Sequence, residues 1–217
     1  MRRGLAGLLA LVVVACSTPL QPSLDDPLRL TRAVWFGFIE FTPDPTLPHT
    51  MRVVVDRTSP TPWLLFDGPP WVFVEGSPDG DWDSIRAHVH AARAATGRDV
   101  VAYLPATVHD RLPSDADLQG IEAYWRQTED AAAFEARLTV AIRRAPRVVL
   151  IVQCYTSNAT LISDLTRLPP VIVRLVNAHP HIEGLLLFSG AGRATGWTDH
   201  PEVHDAWWRV FLSMPPR

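Results

Sequence analysis

The second half of the chain alternates short apolar runs with segments of helical periodicity, and this alternation limits the fold more than any other feature. The apolar runs cover residues 100–104, 148–152 and 184–188. Such continuous runs are typical of strands buried on both faces of a sheet. Helical spacing predicts helices over 82–96, over most of 114–145 with a break near 128–130, over a segment capped by Asn158 that Pro169 and Pro170 interrupt, and over 171–178. This order predicts an α/β fold with a mostly parallel sheet covered by helices.

The first half contains only short apolar or alternating runs that prolines separate. They cover residues 34–41, 52–56, 63–66 and 71–75, and they predict strands or extended segments. Four residues connect the last two runs, whereas parallel neighbours need a crossover of about a dozen residues. If the two runs pair, they form a hairpin with Asp67 at its turn and Glu75 at its far end.

The N-terminus has the pattern of an export signal. Two arginines precede an apolar stretch over 5–14 that is too short to span a membrane, and a small residue precedes Cys16. The run VVVAC over 12–16 resembles the lipobox of bacterial lipoproteins, which implies an acylated Cys16 and an extracytoplasmic, membrane-tethered protein. The chain is then expected to consist of a signal peptide over 1–15, a tether over 16–27 and a single domain over 28–217. The alternative is an ordinary secretory signal cleaved elsewhere, or an uncleaved anchor.

Composition excludes several kinds of chemistry. All 20 basic residues are arginine, so Schiff-base chemistry and a phosphate-binding P-loop lysine are excluded. The net charge of -3 at pH 7 gives no basic footprint, so no nucleic-acid partner is expected. Cys154 is the one thiol that remains after acylation of Cys16, and its apolar surroundings predict a buried strand residue rather than a nucleophile.

Two segments resemble the later βα units of (β/α)8 barrels of the glycoside-hydrolase type: VVLIVQCYTSN over 148–158 and GLLLFSGAGRATGW over 184–197. Each is an apolar strand followed by a polar and aromatic loop. The resemblance implies a TIM-barrel-like fold. About 190 residues follow the tether, fewer than the roughly 250 of a typical complete barrel. We therefore expect an incomplete barrel in which short strands replace the first half.

The resemblance also implies where a site would lie, because the active face of such barrels is built from the C-terminal ends of the strands. These strand ends and the loops after them contain Glu75, Tyr103, His109, Asp110, Gln153, Tyr155, Ser189, Arg193 and Trp197. The set is polar and aromatic, as in sugar-binding sites. Tyr155 or Trp197 would stack on a pyranose face, and Gln153 or Arg193 would bond hydroxyl or carboxylate groups. For each aromatic residue, packing in the core is an equal alternative.

Glycoside hydrolysis needs two carboxyl groups roughly 5 to 10 Å apart. Glu75 is the first catalytic candidate, and Asp110 on the next loop is the best second one. Three aspartates that follow Glu75 closely are explained as helix-capping residues. The sequence thus predicts a membrane-tethered, glycoside-hydrolase-like protein that acts on or binds a carbohydrate such as cell-wall glycan. The alternative is a non-enzymatic surface lipoprotein that binds a glycan or another ligand in the groove at the barrel end.

No metal or cofactor is expected. His200 and His204 have the spacing of a helical metal pair, yet no third ligand is identifiable, and Pro201 explains the segment as the start of a helix. The sequence contains no GxSxG, CxxC or strand-following GxGxxG motif. The glycine-rich run over 190–196 lacks lysine and the dinucleotide spacing, so a phosphate site is not expected there.

Overall fold

The computed structural model describes residues 26–40, 52–54, 63–65, 70–75, 82–104, 115–125, 129–154, 165–188 and 200–216. These residues form eight strands and four helices. The strands are β1 Trp35–Glu40, β2 Arg52–Val54, β3 Trp63–Leu65, β4 Trp71–Glu75, β5 Asp99–Leu104, β6 Leu118–Ala123, β7 Val148–Gln153 and β8 Ile182–Phe188. The helices are α1 Trp82–Thr96, α2 Ala131–Arg144, α3 Leu168–Ala178 and α4 Pro201–Ser213.

All eight strands belong to one sheet with the order β2-β1-β8-β7-β6-β5-β4-β3. Every neighbouring pair is parallel except β3 and β4, which are antiparallel. This is the cyclic order of a barrel that is open between β2 and β3. The two edge strands approach each other, although no backbone pairing joins them within the described ranges. The predicted α/β class, the mostly parallel sheet and the incomplete barrel are therefore confirmed.

The sheet buries apolar side chains on both faces. Val72 and Val74 of β4 pack in one cluster with α1, so alternate strand positions face outward, toward the helices. The positions between them face the inside of the barrel. Trp71, on the inner face of β4, is fully buried, and its Cζ2 atom lies 3.1 Å from the place where a Cβ atom of Gly184 in β8 would be. Trp71 therefore spans the interior, which is a packed core rather than a pore.

The helices agree with the sequence patterns except at the starts of α2 and α3. Helix α1 covers the predicted range, and Gly97 follows it with a φ of 65°, the left-handed conformation that ends many helices. Pro169 and Pro170 lie within the first turn of α3, where a missing backbone N–H costs nothing, so this helix begins at Leu168 rather than after the prolines. None of the four described helices is long and apolar enough to cross a lipid bilayer.

The prediction of a helix over most of 114–145 is wrong for its first part, because residues 118–123 form strand β6. Leu118, Ile121 and Trp125 are spaced three and four apart, which matches a helix. All six residues of β6 are nevertheless buried, as expected for a central strand that the interior covers on one face and other elements on the other. Burial on both faces removes the alternation that would have indicated a strand. The prediction of a helix is correct only for α2, which ends before Pro146.

We predict that Gly184→Ala lowers the free energy of unfolding by about 1–3 kcal/mol, as overpacking of a close-packed core does. The added Cβ atom would lie 3.1 Å from Trp71 Cζ2 and 3.1 Å from Val149 Cγ1. Urea unfolding measures the change. In a Trp71→Phe background the cost should be smaller, since the shorter ring leaves room. An equal cost in both backgrounds would show that Trp71 does not limit the space at Gly184.

Candidate functional site

The parallel strands β4–β8 end at one edge of the sheet. We call the inner positions at the C-terminal ends of β5–β8 the barrel mouth; they are Tyr103, Glu122, Gln153 and Phe188, with Tyr124 directly after β6. The strand register assigns them to one face: Tyr103 pairs with Gly120, Glu122 with Ile151, and Gln153 with Phe188. Glu75 ends β4 at the register position beside Tyr103.

Glu122 is the carboxylate that the structure adds to the site. It lies two residues after Gly120, whose Cβ atom would be 3.1 Å from Tyr103 Cβ and 3.3 Å from Ile151 Cδ1. Since side chains two apart on a strand share a face, Glu122 faces the interior. Its exposed fraction is 8%, and it is the one buried carboxylate among the residues whose burial the structure describes, which do not include Glu40 and Glu75. Burying a carboxylate costs free energy, and such residues concentrate at functional sites.

An aromatic pair lies beside Glu122 at the mouth. The rings of Tyr124 and Phe188 stack with centroids 6.4 Å apart and planes at 12°. Both side chains are partly exposed, unlike the core aromatics below them. A flat, accessible aromatic surface is the kind of group on which a sugar ring packs.

Two residues predicted to bind a sugar have structural contacts at the mouth. Tyr103 is 8% exposed and stacks on Phe73 with centroids 5.4 Å apart. The Oε1 atom of Gln153 accepts a hydrogen bond from the backbone N–H of Trp125 at 3.1 Å, which fastens the end of β7 to the end of β6. Sugar binding by Tyr103 and Gln153 stays a prediction.

A partly buried ion pair holds the chain directly after β6. Nε and Nη2 of Arg137 donate to the two carboxylate oxygens of Glu129 at 2.7 and 2.8 Å, and Nη2 also donates to the backbone oxygen of Tyr124 at 2.8 Å. The Trp125 ring packs between Phe134, 4.9 Å away, and the guanidinium of Arg167, 5.4 Å away. The backbone after Glu122 is thus fixed by side chains from α2 and from the residue before α3.

The remaining predicted site residues lie outside the described ranges. They are His109, Asp110, Tyr155, Ser189, Arg193 and Trp197. The pairing of Glu75 with Asp110 therefore stays a prediction, while the position of Glu75 at the C-terminal end of a strand is as expected. The runs over 63–66 and 71–75, which were expected to form a hairpin if they pair, do pair as the antiparallel strands β3 and β4.

The histidine pair His200 and His204 and the thiol of Cys154 have surroundings that differ from those of a metal site or a nucleophile. His204 stacks on Trp208 with centroids 5.8 Å apart, and Pro201 occupies the first turn of α4, as predicted. No group of three or more potential metal ligands occurs among the described residues. Cys154 is buried, and burial raises the pKa of its thiol well above the usual range. A thiolate is the reactive form, so Cys154 has the expected character of a packed strand-end residue.

Sequence reasoning missed Glu122, Tyr124 and Phe188. Glu122 and Tyr124 were assigned to a helix, where they would not line a strand end. Gly120 is the signal that argues against that helix, because glycine in a helix interior costs about 1 kcal/mol relative to alanine. No protein-family model, curated protein or solved structure matches the chain significantly.

We predict that Glu129→Gln destabilises the fold by about 1–3 kcal/mol, because it leaves the partly buried Arg137 charge without its carboxylate partner. The exposed fractions of the two side chains are 19% for Arg137 and 9% for Glu129. Glu135→Gln is the matched control: its partner Arg174 is 53% exposed and Glu135 itself 33%, so a loss below about 1 kcal/mol is expected. Urea unfolding of both variants gives the comparison. Equal losses would mean that burial does not distinguish the two pairs.

Proposed function

We propose that the protein is a membrane-tethered, extracytoplasmic, glycoside-hydrolase-like protein that acts on or binds a carbohydrate such as cell-wall glycan. The observation that carries the proposal is the buried carboxylate of Glu122 at the mouth, at the same sheet edge as Glu75. Both residues occupy strand ends, where barrels of this kind carry their catalytic groups.

The spacing of the two backbones is compatible with two-carboxylate chemistry. Glu75 is level with Gly120, and Glu122 lies two residues further along β6. Two strand spacings of about 4.8 Å and a rise of about 3.3 Å per residue give a Cα separation of about 12 Å. Side chains that turn toward each other across such a gap would bring carboxyl groups to within about 5–10 Å, the range of retaining and inverting glycosidases.

In this mechanism one carboxyl group protonates the leaving oxygen of the glycosidic bond. The other acts as the nucleophile or as the base that activates water, depending on the separation. Asp110 remains an additional candidate for either role. The Tyr124 and Phe188 rings would support a sugar ring beside Glu122, together with Tyr155 or Trp197 from the loops.

A non-enzymatic glycan-binding lipoprotein is the second candidate. Low exposure of Glu122 favours it, because a carboxyl group that is 8% exposed must become accessible before it can touch a glycosidic oxygen. In that case the aromatic surface of the mouth binds the glycan and neither glutamate turns it over.

We predict that Glu75→Gln and Glu122→Gln each reduce release of soluble fragments from insoluble cell-wall glycan by at least about 10²-fold, the usual contribution of a general acid or base. Both variants should still sediment with the glycan, because the aromatic surface is intact. Glu135→Gln, on the outside of α2, should retain full release.

The outcomes separate the two candidates. Undiminished release by both glutamine variants excludes their catalytic role. Sedimentation with the glycan by the wild type, without any release, supports the binding module. If the wild type shows neither release nor sedimentation, the carbohydrate proposal itself is wrong for this glycan.

The tether has an independent test. We predict that Cys16→Ser abolishes incorporation of labelled fatty acid and moves the protein from the membrane fraction to the soluble fraction, because acylation supplies the anchoring chains. Cys154→Ala is the matched control, since it removes the other cysteine and should remain labelled and membrane-bound. Label that persists in Cys16→Ser, or is lost in Cys154→Ala, would overturn the assignment of Cys16.

A further inference from the structure

The end of the barrel opposite the mouth is built from short connections between helices and strands. Helix α1 ends two residues before β5, and α2 and α3 each end three residues before β7 and β8. The C-terminal ends of these helices therefore lie beside the starts of the parallel strands. We call this surface the basal end.

The first described segment of the chain is fastened to the basal end. Arg32 donates to the backbone oxygens of Val176, His179 and Ile182 at 3.0, 2.9 and 2.6 Å. The backbone N–H of Leu30 donates to Ser213 Oγ, in the last turn of α4, at 3.0 Å. Leu30 itself is fully buried. The chain thus joins the folded domain at the basal end, far from the mouth.

The length of the tether limits how far this end can be from a membrane. Ten residues separate Cys16 from Asp26, where the description begins. A fully extended chain covers at most about 3.5 Å per residue, or about 35 Å in total. The strands add about 20 Å between the basal end and the mouth. A lipid at Cys16 would therefore hold the basal end close to the bilayer.

The charges exposed at the basal end are positive, although the whole chain carries -3. Arg98, Arg143 and Arg144 are the exposed charged residues among the described connections and last helical turns of this end. The carboxylates at this end are only partly exposed and face arginines. Asp99 and Glu183 both bind Arg147, each with a shortest contact of 2.6 Å. Asp117 binds Arg93 at 2.7 Å, and Asp115 lies 3.7 Å from Arg86.

An apolar side chain accompanies these charges. Leu212 is the most exposed large apolar residue of the described chain, at 64%, and it lies in the last turn of α4. Exposed arginines beside an exposed leucine form a surface that suits the boundary between anionic headgroups and acyl chains.

We propose that the basal end is the membrane-facing surface of the domain and that its arginines bind the headgroups of anionic phospholipids. The proposal rests on the tether at Cys16 and adds an orientation to it. The mouth then opens away from the bilayer, toward the glycan that lies outside it. A favourable interaction with the helix dipole explains why arginines occur in the last turn of a helix. It does not explain why the exposed arginines lie at the same end of the domain as the tether.

The test uses a chain that begins at residue 16 with Cys16→Ser, so that neither a lipid nor the signal contributes. The described contacts lie within 26–216, so this chain keeps the folded domain. We expect it to sediment with vesicles of phosphatidylcholine and phosphatidylglycerol, and not with phosphatidylcholine alone. Binding should weaken as salt is raised. The double variant Arg143→Gln/Arg144→Gln should bind about 25-fold more weakly, at about fivefold for each arginine.

The matched control is Arg143→Lys/Arg144→Lys, which keeps both positive charges at the basal end. It should bind within about twofold of the parent chain, since the attraction to anionic headgroups depends on the charges. Circular dichroism and urea unfolding check that both double variants are folded. Equal weakening in the two variants, or equal binding to neutral vesicles, would overturn the proposal. Failure of fatty-acid labelling at Cys16 with anionic binding intact would overturn the tether alone.

Discussion

The packing of large inner side chains against glycines is the constraint on which the rest of the structure depends. Trp71 can span the interior only because β8 has Gly184 at the point of contact, and Tyr103 lies against β6 only because Gly120 has no side chain there. A void at the centre of the barrel would cost about as much as a large-to-small core substitution. The large inner residues Trp71 and Tyr103 therefore need glycines at the strand positions that they contact.

The same register determines the candidate site. Gly120 and Glu122 lie on one face of β6 because strand side chains alternate, so the glycine that admits Tyr103 also fixes the carboxylate at the mouth. A slip of one residue would turn Glu122 toward the helices and Ile121 into the interior. The contacts that follow β6 oppose such a slip, since Gln153 bonds the backbone of Trp125 and Arg137 that of Tyr124. The packing of the barrel interior and the geometry of the candidate site thus depend on the same contacts.

The sequence was informative where local patterns and tertiary structure agree. Helix α1 and Gly97 follow from capping and periodicity, and β5, β7 and β8 from continuous apolar runs. Strand β6 could not be found in this way, because its burial on both faces removes the period-two pattern and leaves spacings that fit a helix. That one element carries Glu122. Glu75 could be predicted as a site residue because its strand could be found from the sequence. Glu122 could not, because the spacing around it predicts a helix.

The lengths of the connections argue that function belongs at the mouth. At the basal end, two or three residues connect α1, α2 and α3 to the strand that follows each of them. The connections from a strand to the next helix, at the mouth, are longer. They have six residues from β4 to α1, seven from β6 to α2, 14 from β7 to α3 and 12 from β8 to α4. Short connections suffice to build a barrel, so the additional length on one side is not needed for the fold. Loops held by a rigid sheet are where binding residues concentrate. The connections with room for binding residues therefore lie at the mouth, opposite the basal end at which the first described residues join the domain.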